Sequence, residues 1–198
     1  DKCFLMSFSR KRSNVLPDYI LCEKNLKTVE SVKDLGILLD TKLQFHDHFN
    51  SIISKASRTL GFILRITRDF QNVRPLVMLY SSLVRFILEY GSIVWCPKYN
   101  VHINRLDSVQ LRFIKHMKYR LLQRNIVLST RQTMDYLELV PLEARRKRCV
   151  IDFFFKMVNG LILCPEILSL INFNVPARIY RNYSLLVCLL YTSDAADD

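Results

Sequence analysis

A change of hydrophobic period near Phe45 constrains this chain more than any other feature. Before it, apolar residues come in short runs, at 3–8, at 19–22 after Pro17, and at 35–39. Runs of this length, bounded by turn formers and polar clusters, read as strands. The basic cluster Arg10, Lys11, Arg12 ends the first, and the third contains Gly36. A glycine inside a strand marks a bulge or a close backbone approach. After Phe45 the apolar residues recur at three- and four-residue spacing, the pattern of helices with one buried face. The expected fold class is α+β, predominantly α, with a short N-terminal β piece followed by a helical bundle.

Asp47 reads as the N-cap of a first helix that runs to about residue 70. One half of its wheel carries Phe49, Ile52, Ile53, Ala56, Leu60, Ile63 and Leu64. The other half carries Lys55, Arg58, Arg65 and Arg68, with Phe62 among them. Pro75 suits the first turn of a second helix, whose core stripe is Leu76, Leu79, Tyr80, Leu83, Ile87 and Leu88. Gly91 and Pro97 bracket its end. A third helix covers 101–119, with Ile103, Leu106, Val109, Phe113, Ile114 and Met117 inside. A short helix fits 130–137, and Pro141 opens a long one that Gly160 caps. The chain divides into a β piece at 1–44, helical regions at 45–120 and 121–184, and an unstructured tail at 185–198. The last eight residues, YTSDAADD, are small, acidic and patternless. They read as translated adapter read-through or as a frayed terminus, and in either case stand outside the fold.

The net charge is +11. Such a surplus is the footprint of a polyanionic partner, a nucleic acid or an anionic membrane surface. No stretch approaches the ~18–20 apolar residues of a membrane span, and no signal-peptide pattern is visible. Six cysteines are scattered without a C-x-x-C pair. That spacing gives no support to a zinc ribbon or redox motif, and reduced thiols packed as small hydrophobes in an intracellular protein are expected. There is no glycine-rich phosphate loop, and no spacing asserts a Ser-His-Asp or Cys-His arrangement. His46 and His48 flank Asp47. Two residues apart, they share a face only on a strand, and further ligands are not obvious, so no metal site is expected.

The stripe Lys55, Arg58, Arg65 and Arg68 suits phosphate contact, with Phe62 placed to stack on a sugar or base. A solvated helix face has the same pattern. Arg145, Arg146, Lys147 and Arg148 form the densest basic run. On a helix they spread over more than half the circumference, and they read as phosphate contacts, a nuclear-localisation-like patch or plain helix surface. Tyr90, Trp95 and Tyr99 surround the Gly91 turn. They suit base stacking or core closure, and their density favours the core.

Several stretches, in order, resemble the C-terminal half of jockey-like non-LTR retrotransposon reverse transcriptases. DKCFLMSFSRKR at 1–12 resembles the lysine-containing strand that follows the catalytic aspartates of the palm. VKDLGILLDTKLQFHDHF at 32–49 resembles the primer-grip hairpin leading into the thumb. KASRTLGFILRI, LYSSLVRFILEYGSIVW and RLDSVQLRFIK resemble the thumb and the helices beyond it. PLEARRKRCVIDFFFKMVNG is similar to a helix that follows in these elements. The resemblance covers roughly 1–165.

It implies that the β piece is a palm remnant with a primer-grip hairpin, and that the helices are thumb-like. It implies a role for Lys2 beside the departing pyrophosphate, and a turn at Leu35 and Gly36 that approaches the primer. The implied partners are an RNA template, a DNA primer or target DNA, and the N-terminal part of the same polyprotein, with the nucleus as the place of integration. The parent reaction needs carboxylates holding two divalent ions, Mg2+ by implication. Here the departure is plain, for the chain's one Asp-Asp pair is Asp197-Asp198 in the tail. The expectation is a fragment of an RNA-directed DNA polymerase that begins inside a strand, holds no cofactor itself and lacks the polymerase centre. A non-enzymatic basic nucleic-acid-binding module and a non-functional transposon relic are the alternatives.

Overall fold

The computed structural model describes residues 3–8, 19–21 and 24–171. Lys2, the basic cluster at 10–12 and the tail at 185–198 lie outside the described residues. The chain splits into two compact units, residues 1–150 and 151–198.

The first unit opens with four two-residue strands, β1 (Phe4–Leu5), β2 (Ile20–Leu21), β3 (Lys24–Asn25) and β4 (Lys27–Thr28). β1 pairs in parallel with β4, and β2 pairs antiparallel with β3. Next come β5 (Ser31–Asp34) and β6 (Ile37–Asp40), an antiparallel hairpin in which Asp34 faces Ile37. The run at 35–39 is therefore not one strand holding a bulge. Leu35 and Gly36 are the turn itself, with φ of 44° and 87°. Two positive φ values are the mark of the tight hairpin turn whose twist matches the flanking strands.

The first long helix, α1 (His46–Ile66), has Phe45 as its N-cap, in the left-handed region at φ 59° and without a side-chain cap. Asp47 is not that cap; it sits in the first turn, where a carboxylate still favours the helix dipole. The preceding loop is held instead by Asp40. Its carboxylate accepts the backbone N–H groups of Lys42, Gln44 and Phe45 at 2.9, 3.0 and 2.6 Å. α1 ends at Ile66, four residues before the expected Phe70.

Pro75 does open the next helix, α2 (Arg74–Leu79), which continues through a π turn at Tyr80–Arg85 into α3 (Phe86–Glu89). Leu76, Tyr80, Val84 and Leu88 are wholly buried, one residue in every four. In a regular α-helix such a stripe rotates by ~40° at each step. The wider π turn takes up the difference and shifts the inward phase by one residue. Leu83, placed in the core by its sequence spacing, is 46% exposed, and Val84 takes its position.

After α4 (Ser92–Trp95), α5 (Asn100–Leu122) buries Leu106, Val109, Phe113, Ile114 and Met117. The Tyr80 ring stacks on Phe113 with centroids 4.3 Å apart and planes 6° apart. From α5, Arg120 reaches back to the end of α1 and donates to the carbonyls of Thr67, Arg68 and Phe70 at 2.7, 3.1 and 3.3 Å. The Thr67 carbonyl also accepts the Phe70 N–H at 3.1 Å, so the guanidinium clamps the turn that follows α1. α6 (Thr130–Tyr136) begins with a capping box between Ser129 and Gln132. α7 (Leu142–Val158) starts just after Pro141, and Gly160 follows it at φ 70°. The described part of the second unit comprises the end of α7 and α8 (Pro165–Leu168).

Among the described residues, no helix is long and apolar enough to cross a membrane. The described cysteines are free thiols, but none is buried: Cys3 and Cys149 are exposed, Cys96 and Cys164 intermediate. Their apolar sequence neighbours do not carry them into the core.

The π turn makes a testable distinction between adjacent residues. Val84→Ala should lower the urea-unfolding free energy by about 1–3 kcal/mol, and Leu83→Ala by less than about 0.5 kcal/mol. The reverse order would place the phase shift elsewhere.

Candidate nucleic-acid interface

Three contacts pin the β5–β6 hairpin to the helices. Ile37, 8% exposed, packs at Gly91, where an added Cβ would lie 2.7 Å from Ile37 Cδ1. Gly91 also has a φ of 64°, so both space and backbone favour glycine there. The Tyr90 hydroxyl donates to the Leu35 carbonyl at 3.0 Å. The Leu38 N–H donates to His48 Nδ1 at 3.3 Å. That bond places the imidazole proton on Nε2, which is buried without a partner among the described residues. Burial holds the His48 pKa below its ordinary value.

Between the hairpin, α1 and α3 lies a groove of about 330 Å³. Leu35, Gly36, Lys33, Lys55, Phe86 and Tyr90 are on its walls. At the hairpin tip Leu35 is 82% exposed, an apolar side chain on a residue with positive φ. Bulky residues rarely adopt that conformation, and such strain concentrates at binding sites.

Lys55 joins this groove to the basic stripe. Arg58, Phe62 and Arg65 continue along the same side of α1, away from buried Phe49, Ala56, Leu60 and Ile63. From Lys55 to Arg65 the helix rises ~15 Å. All three cations are exposed, and Phe62 is 54% exposed. Arg68 is exposed too, but on the turn beyond the helix end. None of these four cations has an ion pair among the described residues.

The run at 145–148 behaves differently. Arg145 grips Glu89 of α3 through two bonds, at 2.5 and 3.1 Å. Arg146 is 2% exposed and donates to Asp107 of α5 at 3.2 Å. Lys147 pairs with Glu143 one turn back at 2.7 Å, and Arg148 is exposed. Arg145 and Arg146 thus fasten the start of α7 to the bundle, and the structure does not bring the four cations to one face. A plain helix surface does not describe Arg146, because its charge is inside.

The aromatic trio also separates. Trp95 is in the core and donates to the Tyr90 carbonyl at 2.8 Å. Tyr90 and Tyr99 are 47% and 72% exposed, so core closure describes Trp95 alone. The turn at Gly91 sends Trp95 inward and leaves Tyr90 beside the hairpin. His46 and His48 part company as well. His48 is buried near Trp95, whereas His46 is exposed and 4.9 Å from the His102 ring. Among the described residues, no group of three or more His, Cys, Asp or Glu is placed to hold a metal ion.

The resemblance marks Leu35 and Gly36, and helical spacing marks Lys55, but neither marks their neighbours in the groove. Tyr90 is 55 residues from its hydrogen-bond partner. Nothing local in the sequence signals that pairing.

No family model and no solved structure matches the chain. It is similar to an uncharacterized protein of Caenorhabditis elegans, B0403.1, with 27% identity over 169 residues. The match spans 82% of this chain and 83% of that protein.

The His48 contact makes hairpin stability depend on pH. A folded pKa below the unfolded value means that the neutral ring's contribution is complete above the ordinary value of 6.5 and is lost as pH falls through the folded pKa. The protection of the Leu38 amide from hydrogen exchange, taken relative to the intrinsic rate at each pH, should therefore fall on going from about pH 7 to about pH 5. His48→Gln should flatten that dependence.

Proposed function

We propose that this chain is part of an RNA-directed DNA polymerase of a mobile element, similar to non-LTR retrotransposon reverse transcriptases. In this reading the β5–β6 hairpin and α1 hold an RNA template paired with a DNA primer. The observation that carries it is the shared groove. The Leu35-Gly36 turn and Lys55 come from different segments, yet they border one recess, and the unpaired cations of α1 lead away from it.

The physical logic is that of a grip. A polyanionic backbone is held by cations along one helix face, with release of counterions on binding. The hairpin tip brings backbone and one apolar side chain to the strand, and Gly36 adds no side chain of its own. Phe62 offers a face for stacking between Arg58 and Arg65. Transfer of the nucleotide belongs to metal-holding carboxylates that these motifs do not include, and in the parent enzyme Mg2+ would be bound there. The nucleus, where such an element integrates, is the corresponding place of action.

Binding of the purified chain to an RNA–DNA hybrid across a salt series tests this directly. Affinity should fall steeply with salt. Arg58→Glu with Arg65→Glu should weaken binding at least about tenfold and flatten the salt dependence. A folded chain that binds no hybrid at low salt refutes the grip. Equal affinity for hybrid, duplex DNA and single strands points to a non-enzymatic basic module instead.

The strained tip supplies a second test. Leu35→Asn gives the Asn-Gly pair that this turn prefers, and should stabilise the fold by about 0.5–1 kcal/mol. The same substitution should weaken hybrid binding. Unchanged affinity would show that the tip does not touch nucleic acid.

A further inference from the structure

The π turn that carries Val84 inward also sets what faces out. Met78, Ser82, Phe86 and Tyr90 each follow a buried member of the core row by two residues, about 200° around the helix. All four are exposed, Phe86 by 60%. Phe86 and Tyr90 border the groove beside the β5–β6 hairpin, and their ring centroids are 5.7 Å apart. Two large rings thus stand side by side at the surface, where a core would normally claim them.

The hairpin holds this pair in place. The Tyr90 hydroxyl is tied to the Leu35 carbonyl, and a Cβ on Gly36 would lie 3.4 Å from Tyr90 Cε1. The ring therefore lies against the glycine turn. An aromatic side chain fixed in advance loses little rotamer freedom when something binds to it.

Charge and size narrow what that something is. The cations lining the groove are Lys33 and Lys55, and no carboxylate is among the lining residues. Asp34, beside the turn, does not line it. The occupant is therefore an anion with an apolar, planar part. At about 330 Å³ the groove is at the lower end of small-ligand sites, ~300–1,000 Å³. A partner helix, ~10–12 Å across with its side chains, does not fit. One nucleobase with its sugar does, and its phosphate supplies the negative charge.

Stacking adds a further condition. Inside a duplex both faces of a base are covered by its neighbours, so rings on a protein surface take up an unpaired base. A fully paired hybrid offers Phe86 and Tyr90 nothing to stack on. A nucleotide that protrudes from its end does.

We propose that Phe86 and Tyr90 form a stacking platform for one unpaired nucleotide at the end of a hybrid, with Lys33 and Lys55 beside its phosphate. This rests on the reading of the hairpin and α1 as a nucleic-acid grip, and adds to it a preference for a protruding strand over a blunt end.

Binding of the full chain to RNA–DNA hybrids that differ at one end tests the platform. One hybrid is blunt, one carries a single abasic nucleotide as an overhang, and one carries 2-aminopurine there. The two overhangs have the same charge, so any difference between them belongs to the base. The base overhang should bind at least about fivefold more tightly than the abasic one, and its fluorescence should be quenched on binding. Phe86→Leu keeps an apolar side chain but removes the ring. It should abolish both the advantage and the quenching, while blunt-hybrid affinity, which also shows that the variant is folded, changes less than about twofold. Tyr90→Phe loses the tie to Leu35 but keeps the ring, and should retain the quenching. Met78→Ala, in the same row but outside the groove, should change neither readout. Moving the overhang from the DNA strand to the RNA strand assigns the strand that ends here. Equal affinity for base and abasic overhangs, or an advantage that survives Phe86→Leu, overturns the platform and leaves the grip standing if the blunt hybrid binds. Failure of every hybrid to bind at low salt overturns both.

Discussion

The fold of the first unit depends on burial of one face of α1. Phe49, Ala56, Leu60 and Ile63 are almost wholly withdrawn from water, against a core that includes Leu76, Tyr80, Val84 and Leu88 and the apolar stripe of α5. A fully buried large apolar side chain contributes about 1.5–3 kcal/mol. Summed over this face, the drive is large enough to set how α1 is turned. Once it is set, Lys55, Arg58, Phe62 and Arg65 have nowhere to go but outward. The cationic surface is thus a consequence of the core.

The same packing governs the two recesses beside β6. With α1 fixed, His48 and Phe49 sit on adjacent sides of its first turns. His48 accepts from the hairpin backbone, and Phe49 stacks on His102 with centroids 4.5 Å apart. The hairpin becomes a partition, with the groove at Leu38 on one side and a second recess at Leu39 on the other. The reading as a mobile-element polymerase rests on the first recess.

Charge is used in two ways. Arg145, Arg146 and Arg120 spend their hydrogen bonds inside the protein, on Glu89, Asp107 and the end of α1. The α1 cations do not. A net charge of +11 therefore overstates what is offered to a partner, and adjacency in sequence is a poor guide to which cations are free. The densest basic run contributes most to holding α7, whereas the sparse stripe on α1 remains open to a polyanion.

Sequence by itself determined the change from strands to helices at residue 45, the inward and outward faces of α1, the helix starts at Pro75 and Pro141, and the stop at Gly160. All of these follow from local periodicity and from residues whose backbone preferences act within a few positions. Only the tertiary structure decided the rest. The π turn moves Val84 inward in place of Leu83, because the core wants one residue in four from that helix. Asp40 takes over the loop before α1, so Asp47 is not needed as a cap. Arg146 finds Asp107, Tyr90 finds Leu35, and Trp95 leaves its two neighbouring tyrosines at the surface. Each of these outcomes is a contact between segments far apart in the chain. Spacing says which side of a helix a residue is on, but what it meets there is settled only by packing.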